Sequence, residues 1–88
     1  MRTLRILVVG RVQGVGFRYH AFRNAEKYHI KGTVKNLIDG KVEIYAQGKI
    51  EDLENFIEKL KNGLMFGRVE TIKTFEEEAP DFGDFRIL

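Results

Sequence analysis

The sequence has no cysteine, no serine and no tryptophan, and among its 88 residues only one proline and two histidines. Thiol nucleophiles, disulfides, thiolate metal sites and serine-based triads are therefore excluded, which leaves Thr, Lys, Tyr, the carboxylates and Arg to carry any chemistry. Charge of one sign is also missing. Fifteen basic residues are interspersed with thirteen acidic ones for a net +2, too small a field to hold nucleic acid or a membrane surface, although a small anion remains suitable. Long apolar runs are absent as well. Leu4 to Val9 is only a strand's length and runs into Gly10 and Arg11, so it is neither a signal segment nor a membrane span. The lack of cysteine accords with a reducing compartment, and a cytoplasmic protein is expected.

Eighty-eight residues, 43% of them hydrophobic, suffice for one domain spanning residues 1–88. A chain of this size buries roughly 60–65% of its unfolded surface, so a ligand site is expected to be shallow or at the edge of a layer. Thr3 to Gly10 lacks polar alternation and reads as a strand covered on both faces or centrally placed. Phe17, Ala21, Ala25 and Tyr28 then mark a helix. Lys31 to Leu37 and Lys41 to Gln47 flank Asp39-Gly40, which suits a type I′ hairpin; Glu43, Tyr45 and Gln47 are expected on a solvated face. Leu53, Phe56, Ile57 and Leu60 form a second amphipathic helix, with Glu51 and Asp52 in its first turn and Gly63 placed to end it. Arg68 to Phe75 and Phe85 to Leu88 read as strands, the three-residue spacing of Val69 and Ile72 implying a β-bulge. Glu76-Glu77-Glu78 reads as a surface turn. The order favours an α+β, ferredoxin-like split βαβ sandwich: an antiparallel sheet of four to five strands with two helices on one face.

The loop between the first strand and first helix reads Gly10-Arg11-Val12-Gln13-Gly14-Val15-Gly16-Phe17-Arg18. Glycines leading into a helix start can aim several backbone N–H groups at one anion, which the helix dipole also favours, and Arg18 adds a fork of donors suited to a phosphoryl group. The pattern is neither a Walker A loop nor a dinucleotide fingerprint, so no nucleotide and no Mg²⁺ is implied. A purely turning role is the competing reading. Asn36 shares strand parity with Val34 and Ile38 and is expected to face the helix-covered side, where it can position a water; alternatively it caps the Asp39-Gly40 turn.

These residues, together with Gly32-Thr33-Val34-Lys35-Asn36 and Asp39-Gly40-Lys41-Val42-Glu43, resemble the acylphosphatases, and the resemblance extends along essentially the whole chain. It implies hydrolysis of a carboxyl-phosphate anhydride to carboxylate and inorganic phosphate by direct water attack, without metal or cofactor. It implies that Arg18 binds the phosphate with the amides of Gln13, Gly14, Val15, Gly16, Phe17 and Arg18, and that Asn36 orients the water. Three departures from the family pattern stand out: Thr33 where Trp is frequent, His29 where Gly is frequent, and the segment Leu64 to Gly67, where a proline is frequent. They bear on loop packing, helix termination and the shape of the site mouth.

Such a reaction asks little of the side chains, because a carboxylate with a conjugate acid of pKa about 4 leaves without protonation. His20 and His29, read as half a turn out of phase on one helix, do not converge on a metal. Tyr19, Phe22 and Phe66 are read as packing residues, and Arg11 and Arg23 as solvated charges. The alternative is a non-catalytic module that binds phosphate or a carbamoyl phosphate-like ligand. Nucleic-acid binding is disfavoured because Tyr45 is a lone aromatic on its strand and no RNA-recognition run is present. A monomer is expected, with a small-molecule acyl phosphate as its partner.

Overall fold

The computed structural model describes residues 1–88. β1 (Arg2–Arg11) and α1 (Phe17–Lys27) precede the hairpin β2 (Lys31–Asn36) and β3 (Val42–Gly48), followed by α2 (Ile50–Leu60), β4 (Arg68–Glu77) and a short β5 (Phe85–Ile87). The strands make one sheet in the order β4-β1-β3-β2-β5. The first four have the ferredoxin-like split βαβ order, and β5 is appended at the β2 edge. That strand corrects the expectation of a wholly antiparallel sheet: β5 runs parallel to β2, with Gly32 opposite Phe85 and Val34 opposite Ile87. The cause is topological. β4 finishes beside Thr3 at one edge, and the chain crosses the end of the sheet to start β5 beside Gly32 at the other.

One apolar cluster joins the layers. Phe17, Ala21 and Ala25 of α1 and Leu53, Phe56 and Leu60 of α2 meet Ile6, Val8, Val34, Val42, Ile44 and Ala46 of the sheet, all at most 1% exposed. At roughly 1.5–3 kcal/mol for each large apolar side chain fully buried, this single layer of contacts supplies most of the driving force. β1 lies between β4 and β3, but only its Ile6 and Val8 face is fully covered, so the expectation of two covered faces holds for one.

The bulge falls in β4, where Thr71 pairs with Val9 and Val69 with Gly10, leaving Glu70 as the extra residue. β4 also runs further than expected, through Glu77. Glu76 and Glu77 belong to the strand rather than to a turn, because Arg2 pairs with Glu76 and Arg5 binds Glu77 at 3.1 Å across β1. The hairpin is not type I′. Asp39 keeps a negative φ and only Gly40 is left-handed, at φ 96°. Gly40 N–H donates to Leu37 O at 3.2 Å and Leu37 N–H to Lys41 O at 2.8 Å, which is the three-residue loop closed by a left-handed glycine. Ile38, in that loop, is fully exposed rather than on the core side. Gln47 is 3% exposed, not solvated, because residues 80–82 fold across it. Its amide donates to Thr3 Oγ1 (2.9 Å) and Pro80 O (3.2 Å) and accepts from Phe82 N–H (2.9 Å), so every bond costly to lose on burial is made.

Candidate active site

The end of the sheet opposite that crossing carries the glycine loop, the end of β2 and the end of β5. Gly16, at φ 82°, turns the chain into α1, and no side chain caps the helix there. The first hydrogen bond of the helix is His20 N–H to Gly16 O at 3.0 Å, so the N–H groups of Phe17, Arg18 and Tyr19 have no intrahelical acceptor. No acidic residue lies in that first turn. The positive end of the helix dipole is thus left open to an anion.

Gly14, Gly16, Phe17, Arg18 and Asn36 come together around a cavity of about 230 Å³, with Val12, Tyr19 and Ile87 completing its walls. Arg18 is exposed, forms no salt bridge, and is held by one hydrogen bond, from a guanidinium N–H to Leu88 O at 3.0 Å. Its remaining donors are unspent. Asn36 sits on the helix side of β2 like Val34, and its Oδ1 is buried without any hydrogen-bond partner. A buried acceptor costs about 1–3 kcal/mol unless a water or ligand satisfies it, and Asn36 is a residue that lines this cavity. The turn-capping role falls instead to Asp39, whose carboxylate accepts from Lys41 N–H at 3.1 Å and from the Lys41 ammonium at 2.6 Å.

The side chains of Gln13 and Val15 do not line the cavity. The Gln13 side chain turns toward the β2–β3 hairpin, and Val15 is half-buried behind the loop, where Gly67 lies so close that a β-carbon there would sit 2.7 Å from Val15 Cγ2 and 2.2 Å from Arg11 O. The Leu64 to Gly67 segment therefore backs the loop, and its apolar tips Met65 and Phe66 are exposed at 84% and 66%. Phe66 is not a packing residue, whereas Tyr19, 56% exposed, packs one ring face on Phe22 and accepts a hydrogen bond from Arg23 at its hydroxyl. Sequence spacing gave no sign of Ile87 or Leu88, because strand β5 reaches the site only through sheet pairing. Tyr19 was findable, since it adjoins Arg18 in the first helical turn.

His20 and His29 are not on one helix. α1 stops at Lys27, and His29 lies beyond it at φ 59°, while His20 Nε2 is 3.1 Å from Lys59 O on α2.

In class the chain is a ferredoxin-like α+β domain with an anion-receptive loop at the end of its sheet. Residues 4–87 match the acylphosphatase family profile. The chain is 42% identical over 87 residues to an acylphosphatase of Treponema denticola, covering 99% of this chain and 93% of that protein. It is 47% identical over 79 residues to one of Bacillus subtilis, covering 90% and 87%. A crystal structure of acylphosphatase from Bacillus subtilis superposes with a TM-score of 0.94 at 44% identity, covering 100% of this chain and 99% of that one. The chain belongs to the acylphosphatase family, and is a hydrolase by that membership. No helix is long and apolar enough to cross a membrane.

Proposed function

We propose that this domain hydrolyses carboxyl-phosphate anhydrides with Arg18 and the backbone amides of residues 13–18 as the phosphoryl cradle and Asn36 as the residue that orients the attacking water. The observation that carries this reading is that Asn36, whose buried Oδ1 has no protein partner, lines the same cavity as Arg18 and an uncapped helix start. A water hydrogen-bonded to that oxygen has a lone pair left to direct at phosphorus. Attack forms the new P–O bond as the bond to the acyl oxygen breaks, and the electron pair leaves with a carboxylate whose acid has a pKa of about 4, so no general acid is needed. The water's proton passes to a non-bridging phosphoryl oxygen. What the protein supplies is charge neutralisation and alignment, to which amides and a guanidinium are suited.

The reading extends to a monomer that works in the cytoplasm and binds no nucleic acid. In support, the charge is evenly mixed, and the open sheet face is engaged by its own groups: Arg5 bridges Glu43 and Glu77, and Tyr45 lies 6.4 Å from the Phe82 ring.

Acyl phosphate hydrolysis in the presence of a chelator, with inorganic phosphate as competitive inhibitor, tests the whole scheme. Turnover is expected to survive the chelator. Arg18→Ala is expected to lose about 10³-fold or more in kcat/KM together with phosphate inhibition. Asn36→Ala is expected to lose about 10²-fold or more in kcat while its inhibition by phosphate stays within about threefold. Near-normal turnover by Arg18→Ala would falsify the assignment of the cradle, and a pH–rate titration abolished by replacing one carboxylate or histidine would replace the substrate-assisted proton transfer with an enzyme base.

A further inference from the structure

Resting on that reading of Arg18 and Asn36, we infer that the side chain of Gln13 is a positioning residue: it ties the phosphate loop to the hairpin that carries Asn36 and so sets the distance between the phosphoryl cradle and the water. The side-chain amide of Gln13 donates twice, to Leu37 O at 2.7 Å and to Lys41 O at 2.9 Å. The first distance is at the short end for a neutral N–H···O bond and the second is ordinary, and together they use both N–H groups of the amide. The two acceptors belong to the residue pair that closes the hairpin, since Leu37 N–H donates to Lys41 O at 2.8 Å. Leu37 directly follows Asn36.

The backbone does not make this connection. The loop leaves from β1 and Asn36 stands on β2, and the two strands are separated in the sheet by β3. Pairing of β1 with β3 stops at Val8 and Val42, after which β1 continues to Arg11 against β4 alone. No other hydrogen bond joins residues 12–16 to residues 36–41. Without Gln13 the two halves still share the core and the Arg18–Leu88 bond, but residues 12–16 lose their hydrogen bonds to the hairpin next to Asn36, so the spacing between cradle and water is less tightly held. Alignment is what this reaction asks of the protein, and a displacement of about 1 Å can cost about 10²-fold in rate.

A structural role alone and a positioning role make different predictions for kinetics. Gln13→Leu removes both donors at similar volume, and Gln13→Glu sets a carboxylate against two carbonyl oxygens. The experiment measures kcat on benzoyl phosphate and the inhibition constant of inorganic phosphate for each variant, in the Asn36 and the Asn36→Ala backgrounds. The expected result is a loss of kcat of about 10- to 100-fold with the phosphate constant within about threefold, because the cradle itself is intact. In the Asn36→Ala background the same substitutions are expected to change kcat by less than about threefold, since there is no longer an oriented water to misplace.

Equal losses in both backgrounds, or phosphate affinity falling in step with kcat, would overturn the inference and leave Gln13 as a stabilising residue only. If Gln13→Leu does not fold, Gln13→Met is read the same way. A measurement on the wild type stands beside the variants: the side-chain amide protons of Gln13, in ¹⁵N-labelled protein, are expected to exchange with solvent well below the rate of an exposed glutamine, and free exchange would refute the double bond. A wild type without acyl phosphate turnover sinks this inference along with the reading of the site. Turnover that is insensitive to Asn36→Ala sinks the water-orienting role, and the positioning role with it.

Discussion

At the scale of single residues, the departures from the family pattern have local physical consequences. α1 ends with Ile30 N–H on Ala25 O at 2.8 Å and His29 N–H on Glu26 O at 3.4 Å, the double bond pattern whose intervening residue must be left-handed. Here that residue is His29, at φ 59°, where a β-carbon is disfavoured. His29→Gly is therefore expected to raise stability by about 1 kcal/mol, read as a higher urea midpoint at unchanged m-value, with catalysis unaffected because His29 is exposed at the far end of α1. Asp39 offers a pH-dependent test. Its hydrogen bonds from Lys41 hold the carboxyl below its ordinary value of 3.8. A lowered folded-state pKa gives stability that is present above the unfolded value and is lost as pH falls through the folded one. The difference in Tm between the wild type and Asp39→Asn is thus expected to be constant from pH 7 to about 5 and to shrink below about pH 4. That Arg18 and Asn36 are the polar side chains to look at was legible at this scale, because a guanidinium after a glycine loop and an amide on a core-facing strand position both break the local pattern, and the structure brings the two to one cavity. The role of the Gln13 side chain was not legible, since its partners are two carbonyls more than twenty residues away.

At the scale of elements, β5 carries more than its three residues suggest. Phe85 is 8% exposed, with its ring 6.2 Å from Phe56 and 6.4 Å from Phe22, so it pins the strand beneath both helices. The same strand delivers Ile87 to the cavity wall and is followed by Leu88, whose carbonyl holds Arg18. Phe85→Ala is expected to cost about 3 kcal/mol of stability. It is also expected to weaken phosphate inhibition more than threefold, since the Arg18 anchor loosens with the strand; unchanged inhibition would mean that the anchor is dispensable. The helices and the bulge followed from sequence because their periods, 3.6 residues and a three-residue interruption of two, are local. Turn type did not follow: Asp39-Gly40 permits more than one loop, and hydrogen bonds at the hairpin base select among them. The direction and partner of β5 are also non-local, because any strand of three residues can pair on either side.

At the scale of the whole molecule, one core shared by both helices and the sheet implies a single cooperative unit, and far-UV circular dichroism and tyrosine fluorescence are expected to report coincident unfolding transitions. Two separate transitions would refute the single domain. Pairing β1 with β4 joins opposite ends of the chain, so refolding is expected in the slow range for small domains, on the order of milliseconds to seconds. The sequence by itself excluded thiol and serine nucleophiles and a paired-histidine metal site, and its glycine loop with Arg18 and Asn36 carried the resemblance from which the reaction was expected. It determined the elements as well, through periodicities that arise within a few residues. Only the tertiary structure decided that the loop, Asn36 and the end of β5 meet in one cavity, that Oδ1 of Asn36 is left without a partner there, and that Gln13 ties the two halves together. Those relations depend on which strands lie side by side, and that order is chosen by burial of a common core rather than by any local signal.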